Sequence, residues 1–312
     1  MEQRNLGRSG LRVSLVGLGC NNLGGRLDLA GSAAVVHAAL DAGVTLFDTA
    51  DMYGERGGSE RALGDILGPR RKDIVLATKF GAPMDAEGRL KGGARRYVMN
   101  AVEASLTRLK TDWIDLYQFH FPDPLTPIEE TLRALDDLVR QGKVRYVGCS
   151  NKPAWEVVEA AWTARSCGLE RFISCQDEYS LLFRKPEADL IPAMTAYGLG
   201  LLPYFPLASG MLTGKYARGE GLPQGTRFAR QRNFESRYMT PRNWERVEAL
   251  SAFAQARERN LLDLAFSWLA ARAPVASVIA GAMSPEQVRA NVAAAGWRLT
   301  AQEIAEVDAL SA

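Results

Sequence analysis

Cysteine is scarce in this chain: Cys20, Cys149, Cys167 and Cys175 are the four among 312 residues, far apart and without a CxxC pairing. That spacing offers neither a disulfide framework nor a zinc-binding pattern, so no metal site is expected. The opening MEQRNLGRSG lacks the apolar core of a secretory leader, and reduced thiols in a cytoplasmic protein are the expectation. Charge of one sign is missing as well. With 38 basic against 36 acidic residues the net charge is +2, and there is no basic stripe to support nucleic-acid binding. No long apolar run survives inspection either. Residues 190–214 carry no charge, but Pro192, Pro203, Pro206 and four glycines divide them into a helix end, a buried strand and a loop, so no membrane span is expected. Linker-like composition shifts and internal repeats are also absent, which points to a single domain over residues 1–312.

What remains is ordinary globular composition, 47% hydrophobic and 24% charged, arranged in a strict alternation of short apolar runs and longer helix-period stretches. A small hairpin opens the chain, with Gly7 and Gly10 as turn residues. Strands are expected at Val13–Leu18, Thr45–Asp48, Ile74–Thr78, Trp113–Gln118, Arg145–Ser150, Phe172–Gln176, Gly200–Tyr204 and Ala276–Ile279. Helical patterns follow each, among them Ser59–Leu67, Arg95–Leu109 and Ile128–Arg140, and a final amphipathic helix, Ala301–Leu310, is capped by Thr300. A long polar loop, about residues 208–240, interrupts the rhythm. Eight βα units in a chain of this length match a single (β/α)8 TIM barrel with an N-terminal β-hairpin and an extra C-terminal helix, rather than an open doubly wound sheet.

Gly17-Leu18-Gly19 after the first strand invites a dinucleotide-binding reading. That fingerprint needs a third glycine where this chain has Asn22, and a helix opening at once where it has CNNLGGRLDLAG. A tight exit from the strand explains the pair better.

More telling is where certain polar residues fall. Asp48 ends TLFD, Tyr53 lies five residues on, Lys79 ends IVLATK, and His120 ends WIDLYQFH. These are consecutive barrel strands, and the carboxyl ends of barrel strands are where such enzymes place chemistry. Taken singly, each has an ordinary structural explanation: a cap, a surface ion pair, a packing tyrosine, a hydrogen-bonded histidine. His37 fits such an explanation, since it lies in a helix-period run. The coincidence of four is harder to assign to chance. Tyrosine, with an ordinary pKa of about 10, is too weak an acid to exchange protons near neutrality unless an ammonium favours the phenolate. Lys79 would supply that ammonium, Asp48 would anchor it, and His120 would orient a carbonyl oxygen. Hydride must come from a cofactor, since no side chain supplies it.

FDTADMYGERGGSERALGDIL, TKFG, DLYQFHFPDP and VGCSN, followed by QDEYSLL, YFPLASGMLTGKY and GAMSPEQVRAN, together resemble the aldo-keto reductase family almost end to end. The resemblance implies a nicotinamide cofactor extended across the barrel mouth. Ser150, Asn151 and Gln176 would hold its carboxamide, and Tyr204 would stack on its ring. Leu207, Ser209, Gly210 and Leu212, with Lys215, would cradle the pyrophosphate, while Gly281, Gln287 and Asn291 would surround the adenosine end. The family implies NADPH, with NADH an alternative, because the loop Gly281-Ala282-Met283-Ser284 lacks the Lys or Arg that a 2′-phosphate attracts. Lys215 or Arg227 would then reach across to it, and Ser284 would donate one hydrogen bond. Phe205 stands where the family often has Ser.

The expected activity is reduction of an aldehyde or ketone to an alcohol, with Asn21, Asn22, Phe121 and Phe205 shaping the pocket for a small carbonyl or sugar substrate. The alternatives are a sugar or lactol dehydrogenase working oxidatively with NAD, and a cofactor-sensing accessory module like a channel subunit. A monomer or small homo-oligomer is expected.

Overall fold

The structure is a computed structural model and describes residues 1–230 and 232–312. Two short strands, β1 (Gln3–Asn5) and β2 (Arg12–Ser14), pair antiparallel as the opening hairpin. Eight strands follow: β3 (Val16–Gly19), β4 (Leu46–Asp48), β5 (Val75–Phe80), β6 (Ile114–Phe119), β7 (Val144–Ser150), β8 (Ser174–Glu178), β9 (Gly200–Tyr204) and β10 (Val278–Gly281). All eight are parallel, in the order β10-β3-β4-β5-β6-β7-β8-β9. A parallel bridge between Leu201 and Val275 draws β9 towards the β10 side, so the sheet is a nearly closed (β/α)8 TIM barrel.

Helices α1 (Leu29–Asp41), α2 (Tyr53–Leu67), α3 (Arg95–Leu109), α4 (Ile128–Arg140), α5 (Ala154–Cys167) and α6 (Leu190–Tyr197) alternate with β3 to β9. After β9 come α7 (Arg227–Arg230), α8 (Arg232–Tyr238), α9 (Pro241–Gln255) and α10 (Leu261–Ala270). Finally, α11 (Pro285–Ala294) follows β10, and α12 (Ala301–Leu310) is the extra C-terminal helix. Thr300 caps α12 in a reciprocal box with Glu303, the pattern its sequence announces.

The apolar interior divides into two parts. A large layer between strands and helices contains Val36, Leu63, Val102, Leu135 and Trp268. A smaller cluster joins Leu46, Ala77, Leu116, Leu202 and Ile279 to Leu6 and Val13 of the hairpin. The hairpin therefore plugs the amino-terminal end of the barrel, leaving the carboxyl ends of the strands as its mouth.

Three expectations needed revision. The apolar run Val13–Leu18 is two strands, not one: β2 ends at Ser14, and Ser14 Oγ turns the corner by donating to Val16 O at 2.7 Å and accepting from Thr45 N at 2.9 Å. Continuous apolar spacing cannot reveal a corner made by one hydroxyl. The segment 208–240 is not plain loop; it holds a 3-10 turn at Ala208–Thr213 as well as α7 and α8. Finally, α2 begins at Tyr53, but Gly54, Glu55, Arg56 and Gly57 have left-handed backbone, so regular helix starts only beyond Gly57, near the expected Ser59.

Candidate active site

Side chains alternate across a strand, so residues two apart share a face. Ala77 and Lys79 on β5, and Gln118 with His120 on and just after β6, therefore point to the barrel axis, as do Leu46 and Asp48 on β4. The register pairs Asp48 with Ala77 and Lys79 with Gln118, which staggers the polar groups towards the mouth. The left-handed turns after Tyr53 hold its ring over the same end.

Lys79 Nζ lies 2.7 Å from Asp48 Oδ2, 2.8 Å from the Thr49 carbonyl and 3.5 Å from the Tyr53 hydroxyl. The ammonium also sits 4.9 Å from the centre of the Tyr53 ring, which meets the His120 ring edge-on at 5.8 Å. Lys79 and Asp48 are buried, and the carboxylate is satisfied twice more, by Gln118 Nε2 at 3.1 Å and Gln176 Nε2 at 2.8 Å. A buried ion pair this well hydrogen-bonded keeps its charge, whereas either partner alone would be strongly destabilised.

The electrostatics follow from burial set against that pair. Burial alone would push Lys79 down, but Asp48 and Tyr53 outweigh it and hold the ammonium above its ordinary value. Burial lowers His120 well below the usual histidine range, and Lys79 adds to the effect. The imidazole is thus neutral, and its buried Nδ1 has no partner in the structure. Tyr53 departs from expectation. Burial raises its hydroxyl, and the opposing pull of Lys79 does not overcome it. The phenol is a proton-bearing acid beside a cation that stabilises the phenolate left behind. Such a cluster can protonate an oxygen presented to Tyr53.

Around it the other expected residues fall into groups. Asn151 Nδ2 donates to His120 O at 2.9 Å and to Ser150 Oγ at 3.0 Å, while the Tyr204 hydroxyl donates to Asn151 Oδ1 at 2.8 Å. Phe121 stacks on His120 at 4.3 Å. Asn21, Asn22, Phe205 and Arg227 line one groove, and the Asn22 amide donates to Ala282 O at 3.2 Å. Phe205, Ala208, Ser209 and Gly210 all have positive φ, and Ser209 Oγ is buried without a partner. Leu207 caps that turn and the buried Leu212 lies in it, with Lys215 just beyond. Gly281 ends β10, Ser284 caps α11 by accepting from Gln287 N, Gln287 accepts from Met283 N, and Asn291 is buried on α11. Among the described residues no group of three His, Cys, Asp or Glu side chains is placed to hold a metal ion. After Gly19, α1 does not open until Leu29, so the glycine pair is a strand exit.

The profile of the Aldo/keto reductase family matches residues 15–312. This chain belongs to that family. Curated relatives match it over nearly its whole length. A protein named probable voltage-gated potassium channel subunit beta from Oryza sativa subsp. japonica is 38% identical over 305 residues, 94% of this chain and 91% of the relative. An uncharacterized oxidoreductase, YqkF, from Bacillus subtilis (strain 168) is 36% identical over 308 residues, covering 97% and 94%. The L-glyceraldehyde 3-phosphate reductase of Escherichia coli (strain K12) is 32% identical over 320 residues, covering 99% and 92%.

Gln118, the Thr49 carbonyl, Arg26, Arg230 and Phe234 belong to the reductase's mouth and were not singled out from sequence. Only Gln118 carried a signal, since it sits two residues before His120 on a strand and so shares its face. The others arrive from the loops after β3 and β4 and from α7 and α8, whose course through space sequence spacing does not encode.

Proposed function

We propose that residues 1–312 act as one aldo/keto reductase domain that reduces an aldehyde or ketone to an alcohol with NADPH. The observation that carries this reading is the Tyr53–Lys79–Asp48 chain, with a neutral His120 beside it. Tyr53 gives its proton to the substrate oxygen; Lys79 stabilises the resulting phenolate, and Asp48 with the Thr49 carbonyl keeps Lys79 in place. His120 offers an N–H that aligns the carbonyl oxygen. The nicotinamide cofactor supplies hydride when bound.

Its fit rests on the donor set. Ser150, Asn151 and Gln176 present amides and a hydroxyl beside Tyr204, the ring expected to stack. The orphaned Ser209 Oγ lies in the turn expected to hold the pyrophosphate. Lys215 and Arg227 bring positive charge that the Gly281–Ser284 loop lacks, which favours NADPH over NADH. Asn21, Asn22, Phe121 and Phe205 border the substrate.

Substitution of Tyr53 by Phe is expected to cut kcat by about 10²–10⁴, as loss of a general acid does, with NADPH affinity unchanged within about twofold. Turnover retained in that variant refutes the mechanism. Two relatives named as potassium channel beta subunits favour a second reading, a cofactor-binding accessory protein. Tight NADPH binding with negligible turnover on a panel of carbonyls and sugars, run in both directions, would select it; efficient oxidation with NAD would instead select a sugar or lactol dehydrogenase. No helix among the described residues is long and apolar enough to cross a membrane. The reading further places a monomer or small homo-oligomer in the cytoplasm, acting on a small molecule.

A further inference from the structure

Tryptophan has the largest apolar surface to hide from water, and four of the six in this chain are buried or half-buried. The other two lie on one helix. Trp155, in the first turn of α5, is 65% exposed, and Trp162 is 52% exposed. Seven residues are close to two helical turns, so both rings stand on the same side of α5. That side faces away from the barrel, since α5 buries Val157, Ala160 and Ala164 instead. One exposed apolar side chain needs no explanation; two tryptophans on one stripe of one helix do.

Trp162 is held in place. Its Nε1 donates to the Tyr197 hydroxyl of α6 at 2.8 Å, and the Arg165 guanidinium lies 5.5 Å from its ring centre. Tryptophan, tyrosine and arginine are the residues that dominate the centres of protein–protein contacts. Three residues to either side of Trp162 stand opposite charges, Glu159 and Arg165. Both are exposed, and among the described residues neither has an ion-pair partner. The pattern is complementary to itself. A twofold axis at Trp162 lays this face on a second copy, ring against ring, with Glu159 of each copy turned to Arg165 of the other. A twofold contact uses the same patch on both subunits, so one patch must carry both halves of each pair. This one does, whereas a patch of single sign would call for a partner of different charge.

We propose that two copies of this chain associate through the outer face of α5, with Trp155 and Trp162 as anchors and two reciprocal Glu159–Arg165 pairs across the twofold axis. A fully covered aromatic side chain buries about 150–250 Å², so the two tryptophans together offer roughly 200–300 Å². A standard contact buries about 800 Å² on each partner. The rims of α4 and α6 therefore contribute the rest, and a Kd in the micromolar range is expected. Exposed ion pairs add little to affinity, but like charges brought together oppose association, so the charges set the register of the contact. Neither the cofactor nor the reaction enters this argument, which stands or falls apart from the reductase reading.

Sedimentation velocity on the full chain, from about 1 to 100 µM, tests this across the range in which a micromolar Kd is read. The wild-type mass is expected to rise from that of one chain towards that of two. The double variant Trp155→Gln, Trp162→Gln should remain monomeric throughout. Glu159→Arg and Arg165→Glu should each weaken association by more than about tenfold, because each sets like charges face to face. Combining the two reversals in one chain should return Kd to within about threefold of wild type. Mixing the two single variants should also restore association, since each then meets its opposite. Tm and far-UV circular dichroism establish that the variants fold.

A wild-type chain that stays monomeric at about 100 µM, a protein–protein Kd well above the micromolar range, overturns the proposal and leaves the α5 face to a different protein. A dimer that survives the tryptophan substitutions, or whose loss on charge reversal is not repaired by the swap, overturns it too and places the contact elsewhere. Should the tryptophan variant fail to fold, the charge reversals decide alone, because Glu159 and Arg165 have no ion pair within the chain to lose. Turnover of a carbonyl with NADPH bears only on the reductase reading: an inactive dimer sinks that reading and leaves this contact, and an active monomer does the reverse.

Discussion

Replacing Asp51 by Asn should make the protein more stable, by an amount that grows with pH. Asp51 lies two residues before Tyr53 and its backbone N–H donates to Lys79 O at 3.1 Å, so it is part of the frame behind the Tyr53–Lys79–Asp48 cluster. Its side chain is 1% exposed; Oδ1 has no partner, and Oδ2 has the Tyr97 hydroxyl only at 3.4 Å. Burial, reinforced by Glu60, pushes the carboxyl up to about 8 from 3.8, and Arg108 offsets only part of this. A native pKa above the unfolded value means that folded chains hold a proton that unfolded chains release. No penalty exists below about pH 4; stability falls as pH rises towards 8 and levels off above it. At about 1.4 kcal/mol per pH unit, the interval from pH 5 to 7.5 sets a ceiling of about 3.5 kcal/mol. Relaxation and water entry reduce this, and about 1–2 kcal/mol is expected. Asparagine carries no such titration. Urea unfolding of both proteins from pH 5 to 8.5 reads the difference directly, and the fixed cost of burying an amide cancels from its slope. A difference that does not change with pH, or that shrinks as pH rises, would refute the reasoning.

Lys79→Met removes the cation that opposes burial at Tyr53 and leaves the Asp48 carboxylate buried without its partner. The expected result is a kcat lower by about 10²–10⁴, with any residual activity shifted to higher pH, checked by a pH–rate profile alongside NADPH titration. At the opposite end of the barrel, Gly7 has φ +59°, and a Cβ there would lie 2.5 Å from Gly198 O and 2.6 Å from Gly200 N. Gly7→Ala should cost more than about 1 kcal/mol in urea unfolding while leaving kcat per folded molecule unchanged, since the hairpin plugs the end away from the mouth.

The alternation of strand and helix patterns was enough to read the barrel, because each element carries its own periodicity. Helices α3, α4 and α12 run over the expected residues, and β9 does as well. The polar residues at three strand ends were also legible, since a carboxylate, an ammonium and an imidazole stand out against apolar strands. The corner at Ser14 was hidden, because the sequence there is uniformly strand-like. So were α7 and α8, short helices in a polar segment whose packing, through Phe228 and Tyr238, is tertiary.

By itself, then, the amino-acid sequence determined the eight βα units, their order, and that Asp48, Tyr53, Lys79 and His120 reach one end of a barrel, because periodicity and strand-end position are local properties. The tertiary structure alone decided the state of that cluster. Burial is a property of the whole packed molecule, and it keeps the Tyr53 phenol protonated, makes His120 neutral and raises the Asp51 carboxyl. It also decided that arginines from two distant segments face one groove, since convergence through space leaves no trace in spacing along the chain.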